Sequence, residues 1–297
     1  MKTLTKIVIF YLILMGYAHA QDTSRTWLNN FKEQASMEDA AYYRLHWLED
    51  SVCRVNDFYL NDSLEMSGAY LTPQMEVKSG PFFFYYLDGS LSAKCFYKNN
   101  YLVGPFKSFY PEGHISVEGE YGDEYTMEER LEINRLSKNE VDSLNVKEGV
   151  WTYYHFNGRV SAKKEYDQGY LFSEIYWEDD GSETPSGKEV DRMPDFPGGD
   201  AALMQFLGKN ITYPEEDLEN NVSGTVKCAF LVDRTGNVKN ARIVESVSPT
   251  IDAESLRVIN LMPKWKLGLQ ENRYVEVEYN LPMKFSLNSG LPKKRKR

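Results

Sequence analysis

The most regular stretch of the chain is Val275-Glu-Val-Glu-Tyr-Asn-Leu-Pro-Met-Lys-Phe-Ser-Leu287. Every second residue from Val275 to Leu287 is apolar, and the residues between them are polar except for Pro282. Such alternation predicts a half-buried β-strand, because successive side chains of a strand point to opposite faces. Proline has no backbone N–H and is tolerated in a sheet mainly at edges, bulges and strand ends. Pro282 therefore indicates an edge strand, which can accept a partner strand.

The residues before this strand predict a small domain over 193–287. Alternation over 224–232, a turn at Asp233-Arg-Thr-Gly-Asn237 and alternation over 238–245 indicate a β-hairpin. Two helices are expected, with Asp200 and Asp252 as their N-caps. The order helix, strand, strand, helix, strand predicts an α+β domain, in which two helices cover one face of a three-stranded antiparallel sheet.

A repeat occupies residues 58–182, in which pairs of glycines nine positions apart enclose aromatic runs. The three clear copies are Gly80-Pro-Phe-Phe-Phe-Tyr-Tyr-Leu-Asp-Gly89, Gly104-Pro-Phe-Lys-Ser-Phe-Tyr-Pro-Glu-Gly113 and Gly149-Val-Trp-Thr-Tyr-Tyr-His-Phe-Asn-Gly158. A weaker copy ends at Gly181, and an opening copy over 58–64 lacks the glycine. Glycine accepts the positive φ of primed hairpin turns, so each copy predicts a β-hairpin and the series predicts an all-β meander.

The remaining segments divide as follows. Residues 21–57 predict one or two amphipathic helices, because 24–52 contain aromatic and charged residues without glycine or proline. The extra length between Gly104 and Gly149 predicts an acidic helical insertion over 122–147. Residues 183–192 are polar and predict a linker. Residues 288–297 predict a solvated basic tail, with contact to anionic headgroups or nucleic acid as the alternative.

The N-terminus predicts a secretory signal peptide over 1–20. Lys2 and Lys6 precede an apolar run over 7–15, and Ala18-His-Ala20 provides small residues for cleavage before Gln21. We expect an exported, periplasmic protein without a further transmembrane segment. An uncleaved segment that anchors the chain in the inner membrane is the alternative.

Composition and motifs argue against several classes of function. A net charge of −10 argues against nucleic-acid binding, which depends on clustered Lys and Arg. No nucleophile, phosphate-binding or metal-binding motif is present, so no catalytic residue, cofactor or metal is expected. Cys228 alternates with apolar residues and is expected in a core. Pairing of Cys53 with Cys95 stays open at this point.

The glycine and aromatic spacing over 58–182 resembles MORN-type repeats, in the variant found in bacterial proteins related to the YwqK antitoxin component. The resemblance implies a scaffold or an interaction surface. Packing of hairpins against each other accounts for the aromatic residues. Aromatic residues that hold a partner or lipid are the alternative.

Residues 193–287 resemble the TonB C-terminal domain. The resemblance rests on Phe196-Pro-Gly-Gly199, Tyr213-Pro214, Gly224-Thr-Val226, Phe230-Leu-Val232, Asp233, Gly236, Asp252, Met262-Pro-Lys-Trp265 and the strand over 275–285. It implies a periplasmic binding domain rather than an enzyme. In that family, a short segment of an outer-membrane receptor, the TonB box, pairs as an added strand with the last strand of the domain, which is β-augmentation.

Carried onto this sequence, the resemblance implies a partner-binding edge near the Tyr213-Pro214 motif. The implied binding residues are Arg273, Tyr274, Val275, Glu276, Val277, Glu278, Tyr279, Asn280, Leu281, Tyr213 and Pro214. Simple packing is the alternative for Tyr213, Pro214 and Trp265, and it is the favoured interpretation of Trp265.

The chain departs from a power-transmitting TonB, because its signal looks cleavable and hairpin repeats replace a proline-rich spacer. The predicted function is binding of a strand from an outer-membrane TonB-dependent receptor or another envelope protein, linked to transport across the outer membrane. The alternative is a non-transport envelope scaffold, in which the repeats bind partners and the TonB-like domain pairs with itself in a homodimer.

Overall fold

The computed structural model describes residues 24–30, 32–123, 125–126, 128–129 and 145–287. The chain divides into two compact units, which meet between Ser182 and Glu183. Within the described part of the chain, no helix is long and apolar enough to cross a membrane. The predicted signal peptide, most of the acidic insertion and the basic tail lie outside the described residues.

The first unit is one antiparallel sheet of eleven strands, and each strand pairs with the next along the chain. The strands are β1 (Ser24–Leu28), β2 (Tyr42–Glu49), β3 (Val52–Tyr59), β4 (Leu64–Tyr70), β5 (Gly80–Tyr85), β6 (Leu91–Lys98), β7 (Tyr101–Phe109), β8 (Ile115–Tyr121), β9 (Lys147–Tyr154), β10 (Val160–Asp167) and β11 (Tyr170–Tyr176). The predicted meander is confirmed, and it begins before the first repeat.

The predicted N-terminal helix is wrong, because β1, β2 and β3 occupy that stretch. Trp27 is paired with Tyr43, and Tyr43 with Phe58, across neighbouring strands. The rings of Tyr43 and Phe58 stack with centroids 5.0 Å apart. Such cross-strand aromatic pairs stabilise a sheet, and they outweigh the weak helical preference of the surrounding residues.

The hairpin loops of the repeat contain three residues instead of the expected two. In the loop after β5, Tyr86 N–H donates to Ser90 O and Gly89 N–H donates to Tyr86 O, each at 2.8 Å. Gly89 has φ +82°, so glycine serves the positive-φ position of this loop type. In the opening copy, which lacks glycine, Asp62 takes that position with φ +65°.

A series of hydrogen bonds, here called the turn ladder, joins each hairpin loop to the following hairpin. In each step, the side chain of the residue just before one three-residue loop bonds the backbone carbonyl two residues before the next loop. Tyr59 Oη donates to Tyr85 O at 3.1 Å, Tyr86 Oη to Phe109 O at 2.8 Å, Tyr110 Oη to Tyr154 O at 2.6 Å, and His155 Nε2 lies 2.8 Å from Trp177 O. His155 thus occupies the position that tyrosine takes in the other steps, and its contact with Trp177 O accounts for a buried polar ring.

In the core of the first unit, two buried aromatic rings fill the space above glycines of the neighbouring strand. An added Cβ would lie 2.3 Å from the Phe82 ring at Gly68 and 2.3 Å from the Trp151 ring at Gly119. Cys53 and Cys95 are buried in the cluster around Phe82 as free thiols. Burial raises the pKa of Cys95 to about 11.

The second unit contains the predicted three-stranded sheet, in the order β13-β12-β16, and a separate hairpin. Its elements are α1 (Gly199–Asn210), α2 (Glu215–Glu219), β12 (Gly224–Val232), β13 (Val238–Glu245), α3 (Pro249–Ile259), β14 (Gly268–Gln270), β15 (Arg273–Val275) and β16 (Val277–Phe285). Neither the short α2 nor the hairpin β14-β15 is predicted from the sequence.

One hydrophobic core joins the helices of the second unit to its sheet. Leu203 of α1 and Ile251 of α3 lie in one cluster with Phe230 of β12 and Met283 of β16. Cys228 belongs to this cluster and is fully buried, as predicted. The helices thus cover one face of the sheet and leave β16 at its edge.

Both predicted N-caps are wrong by a few residues. The N-cap of α1 is Gly198, with φ +91°, and Asp200 lies in the first turn. The N-cap of α3 is Ser248, whose side chain accepts the Ile251 N–H, and Asp252 lies in the first turn. Carboxylates in a first helical turn interact favourably with the helix dipole, which explains why both aspartates resemble caps in sequence.

Candidate functional site: the edge of strand β16

β16 lies at the edge of its sheet, as Pro282 predicts. It pairs antiparallel with β12 from Gly224 opposite Phe285 to Val232 opposite Val277. Within the described part of the chain, no strand pairs with its other side. Leu281, Met283 and Phe285 are buried, whereas Leu287 is 43% exposed, contrary to its predicted position on the buried face.

The predicted continuous edge from Arg273 to Leu281 is interrupted. Arg273–Val275 forms β15, which pairs with β14 rather than with β12. Glu271 and Asn272 turn this hairpin with φ +51° and +58°, the pattern of a type I′ turn. Because neither turn residue is glycine, the sequence signal for the hairpin is weak. Of the nine predicted edge residues, only those in 277–281 lie on β16.

The segment predicted as a linker runs beside this hairpin. Arg192 and Leu269 exchange two backbone hydrogen bonds, with N–H to O distances of 3.0 and 2.9 Å. Asn272 N–H donates to Val190 O at 2.9 Å, and Glu271 N–H donates to the Asp191 carboxylate at 2.8 Å. These contacts cover β14 on the side away from β15 and fix the hairpin that leads into β16.

An aromatic cluster supports the inner face of β16. The Trp265 ring meets Tyr279 with centroids 4.9 Å apart and Phe230 with centroids 5.5 Å apart. Phe196 packs on the other side of Trp265, at 5.7 Å. Trp265 is buried, in agreement with the packing role favoured for it. Its indole Nε1 has no acceptor among the described residues.

The outer face near the edge is polar and carries paired charges. Both oxygens of the Glu278 carboxylate lie 2.9 Å from Nη2 of Arg242, which belongs to β13. Glu276 lies 3.9 Å from Arg234. The Arg242–Glu278 pair is about half exposed, so it contributes little to stability. The outer side of the strand thus carries the carboxylates of Glu276 and Glu278, whose charge is partly balanced by the two arginines.

Tyr213 and Pro214 lie apart from the residues 277–281. Tyr213 is buried, and its ring meets the edge of Phe285 at the far end of β16, with centroids 5.6 Å apart. Its hydroxyl donates to Val222 O, and burial raises its pKa. Pro214 is the N-cap of α2. The packing alternative therefore describes Tyr213, and the structure does not bring this motif to the open edge.

The turn between β12 and β13 holds the aromatic cluster in place. The buried Asp233 carboxylate accepts the Thr235 N–H at 2.8 Å and the Asn237 N–H at 2.9 Å, and it lies 2.7 Å from Lys239 Nζ. Burial alone would raise the pKa of Asp233, but its hydrogen bonds with Lys239, Thr235 and Asn237 outweigh burial and hold the pKa far below its usual value.

Gly236 of the same turn contacts Trp265 directly. Its carbonyl accepts the Trp265 N–H at 2.9 Å, and an added Cβ would lie 2.4 Å from Trp265 O. Gly236 has φ +84°, so both conformation and space require glycine here. The turn, Trp265 and Tyr279 thus form a continuous support beneath the edge strand.

Comparison with protein families agrees with this geometry. Residues 209–287 match the family described as Gram-negative bacterial TonB protein C-terminal. Residues 78–99, 102–123 and 147–168 match the MORN repeat variant. The chain carries a TonB C-terminal domain preceded by MORN repeats. The TonB match begins later than the predicted boundary at residue 193, and it indicates a protein of the cell envelope. A search of curated proteins found no match.

The MORN repeats contain a second candidate, an acidic cleft of about 570 Å³. It is lined by Gly104, Glu120, Tyr121, Gly122, Asp123, Tyr125, Glu129, Glu148, Asp167 and Gln168. The Glu148 carboxylate accepts hydrogen bonds from the Tyr125 hydroxyl at 2.9 Å and from the Gln168 N–H at 3.2 Å. This carboxylate is therefore already bonded by residues that line the cleft. Among the residues that the structure describes, no group of three or more metal-ligating side chains is suitable for a metal ion. The edge of the TonB C-terminal domain is therefore the stronger candidate.

Proposed function

We propose that this protein is a periplasmic TonB-family protein that binds a strand of an outer-membrane receptor or another envelope protein at the open edge of β16. The observation that carries the proposal is the edge itself, which is paired to β12 on one side and open on the other within the described residues. Its role is binding and not catalysis. Binding at this edge would link the protein to transport across the outer membrane.

The edge is suited to β-augmentation because its backbone is held before a partner arrives. All nine residues of β16 have partners on β12, and Tyr279 packs on the Trp265 cluster. A preformed strand loses little conformational freedom when a second strand adds to it, so more of the hydrogen-bond energy appears as affinity. Pro282 provides no N–H, which limits the usable edge to residues 277–281.

The side chains of the edge suggest what the partner strand contains. Val277 and Tyr279 face the aromatic support, whereas Glu278 and Asn280 face solvent. A partner strand with apolar residues on one face and polar or basic residues on the other would match this pattern, because cross-strand neighbours of opposite charge attract. Glu278 already has Arg242 as a partner, so a basic partner residue would compete with that ion pair.

Hydrogen–deuterium exchange of the full chain, with and without a TonB-box-like peptide, tests the proposal. The amides in 277–281 that point away from β12 should exchange more slowly in the complex, since an added strand provides them with acceptors. β13, the opposite edge of the same sheet, is an internal control and should be unchanged. A peptide of the same composition in scrambled order should have no effect. Unchanged exchange at 277–281 with peptide at about 1 mM, a concentration that detects even weak binding, would refute the proposal.

A further inference from the structure

We propose that β11 pairs antiparallel with β11 of a second copy of this chain and joins two eleven-stranded sheets across a two-fold axis. β11 is the last strand of the sheet formed by β1 to β11, here called the MORN sheet because the MORN repeats form part of it. This inference is independent of the function proposed for β16, since it concerns the other unit and another edge. Four observations support it: exposed apolar side chains, an open backbone edge, a covered edge at the opposite end of the sheet, and the compensated charge of the strand.

The side chains of β11 are unusually apolar for an exposed strand. Phe172 is 80% exposed, and Tyr170, Leu171 and Ile175 are also exposed. A single exposed apolar residue is normal on a protein surface, but a cluster on an edge strand is a ready surface for association.

The backbone of β11 is open along one side. Trp177 N–H donates to Ser161 O at 2.8 Å, just beyond the paired residues Ala162 and Tyr176. Because antiparallel pairing alternates, Ser173 and Ile175 direct their backbone groups toward β10, and Glu174 between them directs its own away from it. Within the described residues, no strand pairs with that second side.

The two ends of the MORN sheet differ in protection. At the other end, Gln34 forms a bridge with Leu28 of β1, and Ala35 N–H donates to Trp27 O at 2.9 Å. Residues 34–35 therefore cover the outer side of β1 at its C-terminal end, at Trp27 and Leu28. β11 contains neither the proline nor the lysine that commonly protects an edge strand.

The difference between the β1 edge and the β11 edge favours β11 of a second copy as the strand that pairs with β11. Pairing of β11 with β1 of another copy would build an open filament, but residues 34–35 already cover Trp27 and Leu28 and leave only 24–26 of β1 for a partner strand. Pairing of β11 with β11 uses the same surface in both chains and closes as a dimer. The single charged residue of the strand, Glu174, lies 3.3 Å from Lys164 Nζ of its own sheet, so pairing brings no uncompensated charge together.

A bulge limits how far this pairing extends. The register between β10 and β11 shifts at Glu165 and Tyr166, which leaves Phe172 as the extra residue between Leu171 and Ser173. Bulges interrupt regular pairing. Regular pairing between copies is therefore confined to 173–176, and Phe172 beside it can pack on the apolar side chains of the partner strand.

Sedimentation velocity of the full chain over a wide range of concentrations tests the inference. The wild-type chain should form a concentration-dependent dimer. Phe172→Lys and Ile175→Lys should each weaken dimerisation at least about tenfold, the equivalent of about 1.4 kcal/mol. Val244→Lys is the matched control, because Val244 is a 54% exposed apolar residue on β13 of the other unit, and it should leave the dimer unchanged.

Hydrogen–deuterium exchange completes the test. The amide of Glu174 should become protected as the wild-type concentration rises, and Phe172→Lys should abolish this change. A chain that stays monomeric overturns the inference. A dimer insensitive to both lysine variants also overturns it and assigns the contact to another surface, such as β16. Protection of β11 that does not depend on concentration would show that the chain covers its own edge, which equally contradicts the proposal.

Discussion

The two sheets of this protein bury their apolar surface in different ways. In the TonB C-terminal domain, helices cover one face of a three-stranded sheet, and one cluster unites strands and helices. In the MORN sheet, aromatic rings pack over glycines of neighbouring strands, and separate clusters form around Phe82 and Trp151. The first arrangement makes each core residue important to the whole domain. The second makes each core residue important mainly to its neighbours.

The largest effect is expected from Phe230→Ala, which tests the shared core. Phe230 is fully buried at the centre of the cluster in the second unit and contacts both Trp265 and Tyr279. Removing such a ring costs about 3–5 kcal/mol. Hydrogen–deuterium exchange should show faster exchange in β12, β13, β16 and α3 together. Faster exchange confined to β12 would contradict the view of one cooperative core.

Trp151→Ala is the matching change in the MORN sheet. The intrinsic cost is similar, about 3–5 kcal/mol for a buried aromatic ring. Its effect on exchange should be confined to β7 through β10, because Trp151 packs on Phe106 and Tyr121. Amides of β2 through β4 should keep wild-type exchange. Uniform acceleration over all eleven strands would show that the sheet unfolds as one unit and would remove the contrast.

Asp233→Asn should have a smaller effect and should reveal a pH dependence specific to the second unit. The folded state holds the pKa of Asp233 below its unfolded value of about 3.9. Its contribution to stability is therefore complete above about pH 5 and is lost as the pH falls through and below 3.9. Chemical denaturation of the second unit, followed by Trp265 fluorescence in a chain with its other tryptophans replaced by phenylalanine, should show a cost of about 1.5–3 kcal/mol at pH 7.

The stability of the Asp233→Asn variant should also fall less than that of wild type between pH 5 and pH 3. Asp195→Asn, at an exposed ion pair with Lys266, is the control and should preserve the wild-type pH profile. An Asp233→Asn variant with an unaltered pH profile would mean that this carboxylate is not the source of the acid sensitivity.

The smallest effect is expected from Tyr110→Phe, which removes one step of the turn ladder. The loss of one hydrogen bond costs about 1 kcal/mol. Exchange should accelerate at the loops around Tyr110 and Tyr154, while the strands keep their protection. Tyr274→Phe, at an exposed residue of the other unit, should change nothing. An equal response to both substitutions would show that the ladder hydroxyls add no stability.

The sequence predicts those parts of the fold whose turns contain glycine. The hairpins that end at Gly89, Gly113 and Gly158 and the turn at Gly236 have this signal, and the structure contains all four. The N-terminal hairpin turns instead at Asp50 and Ser51, with φ +48° and +68°. Without glycine, aromatic residues among charged ones are equally compatible with a helix, and the error in 24–52 follows.

The candidate site was predictable to the same degree. Alternation and Pro282 identify the edge position of β16, and the family resemblance provides its interpretation. The interruption at Glu276 was not predictable, because residues 273–275 continue the alternation of β16. Only the hairpin turn at Glu271-Asn272 makes them pair with β14 instead of β12. The buried position of Tyr213 beside Phe285 is a tertiary contact, for which no local pattern exists in the sequence.

The turn ladder has a consequence for how this protein can change in length. All of its loops lie along one side of the MORN sheet, since connections of an antiparallel meander alternate between its two sides. Tyr110 still reaches Tyr154 O although residues 122–146 separate their strands on the opposite side. One border of the sheet thus keeps a constant spacing, while connections on the other border range from 99–100 to the much longer 122–146. New sequence can therefore enter the second border, by evolution or by engineering, without disturbing the order of the hairpins.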